Sequence, residues 1–272
     1  HYPLRRQRQM CIRDSFNVIL NREFERGNVT LTESVALVTG SNRGLGMAFA
    51  ERLIARGIKK IYVTARDASL LENLVKLNPN SVCPITLDIT QQRHIEDVLS
   101  QATDVTLLIN NAGCNRNAAL LGVAGIENAR EEMETNYFGT LSMCRAFAPV
   151  LKNNGGGTIV NILSILSLVN LPASGSFSVS KAAAYSMNQG VRAELSGQNT
   201  SVVGVMPGSI DTDMARDFEG PKDKPVDVVD AVLQAIEDGI EDVYPGEMAQ
   251  AVYQGHRQDA KAIEKEFAVF VS

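Results

Sequence analysis

The sequence predicts an α/β protein built on a single doubly wound parallel sheet, with helices packed on both faces. The first observation is a series of short apolar runs that are continuous and not alternating, as is typical of strands buried on both faces. The second is the helix-length stretch between successive runs, because alternation of strand and helix produces a parallel sheet. The third is the cluster of glycines that directly follows the first run.

The elements can be assigned in order along the chain. The predicted strands are Val35–Thr39, Ile61–Ala65, Thr106–Asn110, Thr158–Ile162 and Val202–Met206, with one more before Leu87 and a closing strand at 243–246. The predicted helices include Met47–Arg56, Ile126–Phe147, Lys181–Leu195 and a terminal helix over 248–268. Together they predict one domain over residues 31–272.

Residues 1–30 differ in composition from the rest of the chain. They hold six arginines, no lysine and three acidic residues, and the chain begins with His1. We interpret this segment as a non-native or disordered extension of the domain. An arginine-rich targeting peptide is the alternative, which Asp14, Glu23 and Glu25 disfavour.

Composition and charge argue against several classes of function. The net charge of −5 gives no general case for binding nucleic acid, and no apolar run approaches the roughly 20 residues of a membrane-spanning helix. Four scattered cysteines without CxxC spacing, and three distant histidines, indicate neither a metal site nor a disulfide framework. We therefore expect a cytoplasmic protein that binds neither nucleic acid nor a membrane.

The segment Thr39-Gly40-Ser41-Asn42-Arg43-Gly44-Leu45-Gly46 joins the first strand to a helix. Gly40 permits a tight turn, Gly44 lets the backbone approach a pyrophosphate, and Gly46 lets the helix pack closely on the strand. Backbone amides at the start of the helix would bind the phosphates, which predicts a dinucleotide ligand. A glycine-rich turn that only connects a strand to a helix is the alternative.

The TGxxxGxG spacing of this loop resembles the short-chain dehydrogenase/reductase family, and the resemblance extends over roughly residues 33–250. It implies a Rossmann-like fold and cofactor contacts from three further segments. These are Asp88 and Ile89 beside the adenine, Asn111, Ala112 and Gly113 after the fourth strand, and Pro207, Gly208, Ile210 and Thr212 at the nicotinamide. A turn or N-cap role for Asp88 and an ordinary Pro-Gly turn are the alternatives.

The end of the second strand indicates NADP(H) and not NAD(H). Ala65 stands where the NAD enzymes of the family carry an aspartate, and Arg66 follows it. With Arg43 of the glycine loop, Arg66 would clamp a 2′-phosphate, because guanidinium groups suit planar phosphate recognition. Two solvated surface arginines are the alternative, and Asp67 would weaken the clamp if its side chain pointed inward.

Four positions match the catalytic set of the family, but one of them carries an unexpected residue. The resemblance implies that Asn136 holds a water, that Ser164 bonds the substrate oxygen, and that Lys181 binds the cofactor and makes a phenol more acidic. The proton-donating tyrosine of the family would stand four residues before the lysine, on the same helix face. That position holds Phe177.

These matches predict an oxidoreductase that moves hydride between NADP(H) and a small hydrophobic carbonyl or alcohol. Its activity would be crippled at position 177, because loss of a general acid costs about 10²–10⁴-fold in rate. One alternative places Phe177 in the plain core and the proton donor at Tyr137 or Tyr185, although neither keeps the spacing to the lysine. Another is a non-catalytic NADP(H)-binding sensor or interaction protein.

The sequence also suggests which residues line the substrate pocket and how subunits assemble. Four apolar residues are expected to line the pocket, near a short loop over Asp213–Pro221: Leu166, Val169, Leu171 and Phe218. The helix from Ser178 to Leu195 is rich in small residues, which permit close approach of another helix. The resemblance implies that subunits pair through this helix and the one that holds Asn136, which predicts a homodimer or homotetramer.

Overall fold

A computed structural model describes residues 30–123 and 125–271, so the expectation for residues 1–30 lies outside it apart from Thr30. Within these ranges one seven-stranded parallel sheet has the order β3-β2-β1-β4-β5-β6-β7. The strands are β1 Val35–Val38, β2 Lys60–Ala65, β3 Val82–Thr86, β4 Leu107–Asn110, β5 Gly157–Ile162, β6 Thr200–Val205 and β7 Asp242–Val243. The helices are α1 Gly44–Ala55, α2 Glu72–Leu77, α3 Gln92–Gln101, α4 Gly125–Met133, α5 Thr140–Asn153, α6 Gly175–Leu195, α7 Pro225–Glu237 and α8 Glu247–Phe267. None of the helices described is long and apolar enough to cross a membrane.

The sheet is covered on both faces, which confirms the predicted fold class. Leu37 of β1 packs in a core that contains Phe147 of α5, whereas the next residue, Val38, packs in a second core with Phe49 of α1. Successive residues of a strand point to opposite faces, so a strand buried on both faces has to be apolar throughout. The strand order reverses between β1 and β4, and ligands of such sheets bind at the carboxyl ends of the strands beside this reversal.

The helix predicted from Lys181 begins six residues earlier, at Gly175, and three other predicted elements differ in continuity or length. The helix predicted over Ile126–Phe147 is divided by a π-helical turn, Glu134–Gly139, and α5 then continues to Asn153. The predicted terminal helix is interrupted at Asp259 (φ −152°, ψ 91°), whose carboxylate accepts a hydrogen bond from the Ala262 amide (3.0 Å) and caps a second segment. The closing strand covers only β7, because the chain turns at Gly246 (φ +82°) into α8.

Three buried amide side chains tie the centre of the sheet to helix α6. Asn110, the last residue of β4, donates through Nδ2 to Oδ1 of Asn161 in β5 (2.8 Å). Asn161 in turn donates to Oδ1 of Asn188 in α6 (2.8 Å). All three side chains are buried, where a hydrogen bond to a partner offsets the cost of desolvation. This chain of bonds fixes β4, β5 and α6 relative to one another just below the site.

Candidate active site

The glycine loop has the backbone conformation of a phosphate cradle. Gly40 (φ +67°) and Gly44 (φ +55°) adopt left-handed conformations that favour glycine. A Cβ atom on Gly46 would lie 2.1 Å from the Gly40 carbonyl oxygen, so a side chain at position 46 would force the loop and helix apart. Asn111 fastens the loop from the end of β4, because its Nδ2 donates to the carbonyl oxygens of Thr39 (2.9 Å) and Gly40 (3.1 Å).

Most side chains of the loop are directed into the protein. The Ser41 hydroxyl is fully buried and donates to the Val38 carbonyl (2.8 Å), and Leu45 belongs to the core against the sheet. Ala112 is held through its own amide, which donates to the Thr39 hydroxyl (2.9 Å). Ser41 and Leu45 can therefore meet a ligand through the backbone, as a phosphate site at a helix N-terminus requires.

The end of β2 carries no acidic side chain directed at the site. Ala65 is buried, and the exposed Arg66 makes no side-chain hydrogen bond or ion pair within the described residues. The Asp67 carboxylate accepts a hydrogen bond from the Ser69 amide (2.9 Å) and caps a short turn. The Asp67 side chain is thus directed into its own turn, and does not point inward as it would have to do to weaken the arginine clamp. Arg43 forms an ion pair with Asp213 (3.0 Å), which the sequence did not indicate.

The Asp88 side chain has the local contacts of a turn residue. Its Oδ1 accepts hydrogen bonds from the amide (3.0 Å) and the hydroxyl (2.7 Å) of Thr90. Ile89 is buried against Gly139 of the π turn, where a Cβ atom would come within 2.8 Å of the isoleucine side chain. The side chain of Asp88 therefore performs the turn role, and an adenine contact would have to come in addition to it.

The segment after β6 lies between the glycine loop and the terminal helix. The Thr212 methyl carbon lies 3.3 Å from the position of a Cβ on Gly44, so the two segments are in contact. Gly208 faces Met248 of α8, whose sulfur would lie 3.0 Å from a Cβ at 208. Ile210 forms a β-bridge with Asp223, which closes the loop between them. The segment thus faces the carboxyl end of the sheet from the side opposite to β2.

Asn136 is held in place by the loop that follows β4. It lies in the π turn and is buried, with Oδ1 accepting from the Cys114 amide (2.9 Å) and Nδ2 donating to the Cys114 carbonyl (2.9 Å). Nδ2 also reaches the Ser180 hydroxyl of α6 (2.9 Å). A Cβ on Gly113 would lie 3.0 Å from Asn136 Oδ1 and 3.7 Å from Lys181 Nζ. The two side chains therefore face the same small space beside Gly113.

Lys181, Phe177 and Ser164 are all buried. The Lys181 ammonium donates to the Ile162 carbonyl (2.7 Å) at the end of β5 and lies 5.6 Å from the centre of the Phe177 ring. Ser164 follows β5 two residues later and accepts a hydrogen bond from the Leu166 amide (3.1 Å). Burial lowers the pKa of Lys181 from its ordinary value of 10.5 to about 8, against a smaller opposing effect of Cys114. An ammonium in such surroundings would make a neighbouring phenol more acidic.

No tyrosine within the described residues takes the position one turn before Lys181. Tyr137 packs edge-on against Phe138 in the π turn. Tyr185 lies one turn beyond Lys181 and packs near Tyr244, in a cluster with Leu163, Ala184 and Met206. Both tyrosines therefore lack the spacing to Lys181 that a proton donor of this family has.

Two of the residues expected to line the pocket pack against a helix whose role the sequence did not reveal. Val169 and Leu166 pack against Val252 and Met248 of α8. Phe218 is 41% exposed and lies over Gly220 in the loop after Thr212. The break in α8 folds its second segment back, since Ile263 would clash with a Cβ on Gly255. Apolar patterning of 248–268 indicated a helix, but carried no signal that it packs against Leu166 and Val169.

Glu132 is a second residue that sequence reasoning missed. It is fully buried in α4, one turn before Asn136, and its Oε1 accepts a hydrogen bond from the Arg116 amide (2.6 Å). Its other oxygen, Oε2, has no hydrogen-bond partner among the residues that the structure describes. Glu132 and Asn136 together hold the loop after β4 at two points, Arg116 and Cys114.

Comparison with known proteins identifies the family. A model of the short chain dehydrogenase family matches residues 34–222. An uncharacterized oxidoreductase of Staphylococcus saprophyticus is 31% identical over 221 residues, which is 77% of this chain and 93% of that protein. The 3-ketodihydrosphingosine reductase of Bacteroides thetaiotaomicron is 32% identical over 178 residues, 65% of this chain and 64% of that protein.

A solved structure extends this result. The short chain dehydrogenase from Burkholderia cenocepacia J2315 in complex with NADP is 46% identical, with a TM-score of 0.84 over 88% of this chain and 99% of that one. The fold and these relatives thus define an oxidoreductase built on a Rossmann-like sheet. The chain belongs to the short-chain dehydrogenase family.

Proposed function

We propose that this chain is an NADPH-dependent oxidoreductase that transfers hydride between NADP(H) and a small hydrophobic carbonyl or alcohol, with turnover limited by Phe177. The observation that carries the proposal is the phenyl ring one helical turn before Lys181, 5.6 Å from the ammonium. Ser164 and Asn136 stand at the other positions of the family pattern. The NADP-bound relative from Burkholderia supports the choice of cofactor.

The residues present fit a dinucleotide. The cradle at Gly46 leaves no room for a Cβ atom, and the helix behind it supplies amides and positive potential for a pyrophosphate. The end of β2 offers Arg66 and no carboxylate, which favours a 2′-phosphate over a free ribose hydroxyl. Lys181 donates only to the Ile162 carbonyl among the described residues, which leaves ammonium hydrogens for a ribose hydroxyl.

The chemistry of the side chains follows from their positions. NADPH, when bound, supplies the hydride. Ser164 would donate a hydrogen bond to the substrate oxygen and stabilise the negative charge that develops there. Lys181 would orient the ribose and lower the pKa of a phenol at position 177. A phenyl ring at 177 has no proton to give, so the alkoxide would have to take its proton from a poorer donor.

The direct test is Phe177→Tyr, with NADPH oxidation followed over a panel of carbonyl compounds. We expect kcat to rise by about 10² or more with little change in NADPH affinity, because a general acid acts mainly in the transition state. Phe270→Tyr, which adds the same hydroxyl to an exposed ring near the C-terminus, serves as the control and should change nothing. Ordinary reductase rates in the unmodified chain, or no gain on any carbonyl, would contradict the assignment of position 177.

The cofactor preference has a separate test. NADPH should bind at least about tenfold more tightly than NADH, because the arginine clamp meets no phosphate in NADH. Arg66→Ala should remove most of this difference, whereas Arg145→Ala, an exposed arginine of α5, should leave it unchanged. Equal affinities for the two nucleotides, measured by titration of nucleotide fluorescence, would refute the phosphate clamp.

Phe177 also favours a second candidate, a non-catalytic NADP(H)-binding sensor or interaction protein. This candidate requires the same cofactor preference but no reductase activity after Phe177→Tyr. The intact Ser164, Lys181 and Asn136 favour the enzyme, because a site that only binds nucleotide has no physical need for all three. The two candidates therefore separate in the Phe177→Tyr assay and not in the binding assay.

We also propose that the chain forms a homodimer or homotetramer through α6 and the π turn. Val179 (46% exposed) and Phe138 (49% exposed) are large apolar side chains on these two elements, and Gly190 of α6 has open space beside it. Small residues permit close helix packing across a two-fold axis. A monomer by light scattering at micromolar concentration would contradict this assembly.

A further inference from the structure

Arg43, one of the two arginines of the proposed clamp, already forms an ion pair with a carboxylate of the protein. Nη1 of Arg43 lies 3.0 Å from Oδ2 of Asp213, and the two side chains are about half exposed or more. The pair joins the glycine loop to the loop after Thr212, two segments that also touch through Thr212 and Gly44. Arg66, in contrast, has no such partner among the described residues. The two arginines that would bind the 2′-phosphate are therefore not equally available.

Asp213 also forms an ion pair with a second arginine, Arg216, which can remain when the Arg43 side chain turns away. Nη2 of Arg216 lies 2.7 Å from the other carboxylate oxygen, Oδ1. Hydrogen bonds from Arg216, and then from Arg43, lower the pKa of Asp213, so the carboxylate stays charged at neutral pH. If Arg43 turns to a phosphate, Asp213 keeps one of its two arginine partners. When Arg43 exchanges Asp213 for a phosphate, the Asp213 carboxylate therefore stays paired with Arg216.

We propose that Asp213 competes with the 2′-phosphate of NADP(H) for Arg43, and so sets how strongly this protein prefers NADPH to NADH. The inference rests on the proposed function, because it assumes that the clamp binds the phosphate. A phosphate carries more charge than a carboxylate and meets two arginines, so it displaces Asp213. The displacement weakens binding of NADPH but not of NADH, which has no phosphate and does not need Arg43 to be free.

The test is Asp213→Asn, with NADPH and NADH titrated separately by nucleotide fluorescence. Exposed ion pairs contribute little, so we expect NADPH to bind about two- to fivefold more tightly, with NADH unchanged. The gain should shrink at high ionic strength, because salt screens the pair in the wild type. Asp217→Asn removes the same charge from the same exposed loop, four residues on. Asp217 forms no hydrogen bond or ion pair with Arg43, so this variant should leave both affinities unchanged.

A double-mutant cycle separates direct competition from a general change of charge. In an Arg43→Ala background the Asp213→Asn change should give no further gain, because no guanidinium remains to be released. Unchanged or weaker NADPH binding in Asp213→Asn overturns the inference. So does an equal gain for NADH, or a gain that persists without Arg43.

Failure of the proposed function would look different. A wild-type chain that binds NADPH no better than NADH would refute the clamp itself, and the competition with it. A wild-type chain that prefers NADPH, with an Asp213→Asn variant that behaves identically, would refute only the competition.

Discussion

Replacing Lys181 with methionine should stabilise the cofactor-free protein while it weakens the cofactor site. Burial lowers the pKa of Lys181 from 10.5 to about 8, which corresponds to about 3 kcal/mol against the charged form. Methionine has a similar unbranched chain without the charge. The variant loses the 2.7 Å hydrogen bond to the Ile162 carbonyl, which costs about 1 kcal/mol. The expected net gain is about 2 kcal/mol near neutral pH.

This gain should depend on pH in a defined direction. Below about pH 8 the lysine is protonated in the folded and the unfolded state, and the folded protein bears the full cost of the buried charge. Between about pH 8 and 10.5 only the folded state has lost the proton, so the unfolded state binds more protons and the stability of the wild type rises with pH. The advantage of Lys181→Met should therefore be largest near neutrality and shrink above about pH 8. Above pH 10.5 it should give way to a deficit of about 1 kcal/mol, because only the lost hydrogen bond then separates the two proteins.

Thermal unfolding of both proteins at about pH 7 and about pH 9.5 measures the difference directly. A gain of about 2 kcal/mol should raise Tm by roughly 4–8 °C for a domain of this size. Lys152→Met removes an exposed lysine of α5 and should show no such dependence on pH. The reasoning is refuted if Lys181→Met is less stable than the wild type at neutral pH, or if the difference does not shrink as pH rises. NADPH should bind more weakly to Lys181→Met at both pH values.

Two further substitutions probe the backbone of the site. Gly46→Ala places a Cβ 2.1 Å from the Gly40 carbonyl oxygen, so it should lower NADPH affinity at least about tenfold, whereas Gly197→Ala, with no atom within 4 Å, should not. Glu132→Leu leaves the part-buried Arg116 amide without its acceptor, and Glu132→Gln keeps that acceptor. Hydrogen exchange at the Arg116 amide should accelerate in the leucine variant only; equal protection in both would show that Glu132 does not hold this loop.

The sequence predicts the sheet well because its signals are local. The strands β1, β2, β4, β5 and β6 each contain a short continuous apolar run, and Gly40, Gly44 and Gly46 lie within seven residues of one another. The features that escaped prediction depend on contacts between distant parts of the chain. Arg43 and Asp213 are 170 positions apart. Glu132 lies among other acidic residues in α4, a composition typical of a solvated face. It is nevertheless fully buried, and its carboxylate accepts a hydrogen bond from the Arg116 amide, 16 positions earlier in the chain.

The π turn at Glu134–Gly139 explains how the site is held independently of residue 177. A π turn inserts an extra residue, and such insertions often occur at functional sites. Here it directs Asn136 onto both backbone groups of Cys114. Lys181 is held by the Ile162 carbonyl, and Ser164 by the Leu166 amide. None of these bonds uses the side chain of Phe177, so a hydroxyl can be added to that ring while the other groups keep their places.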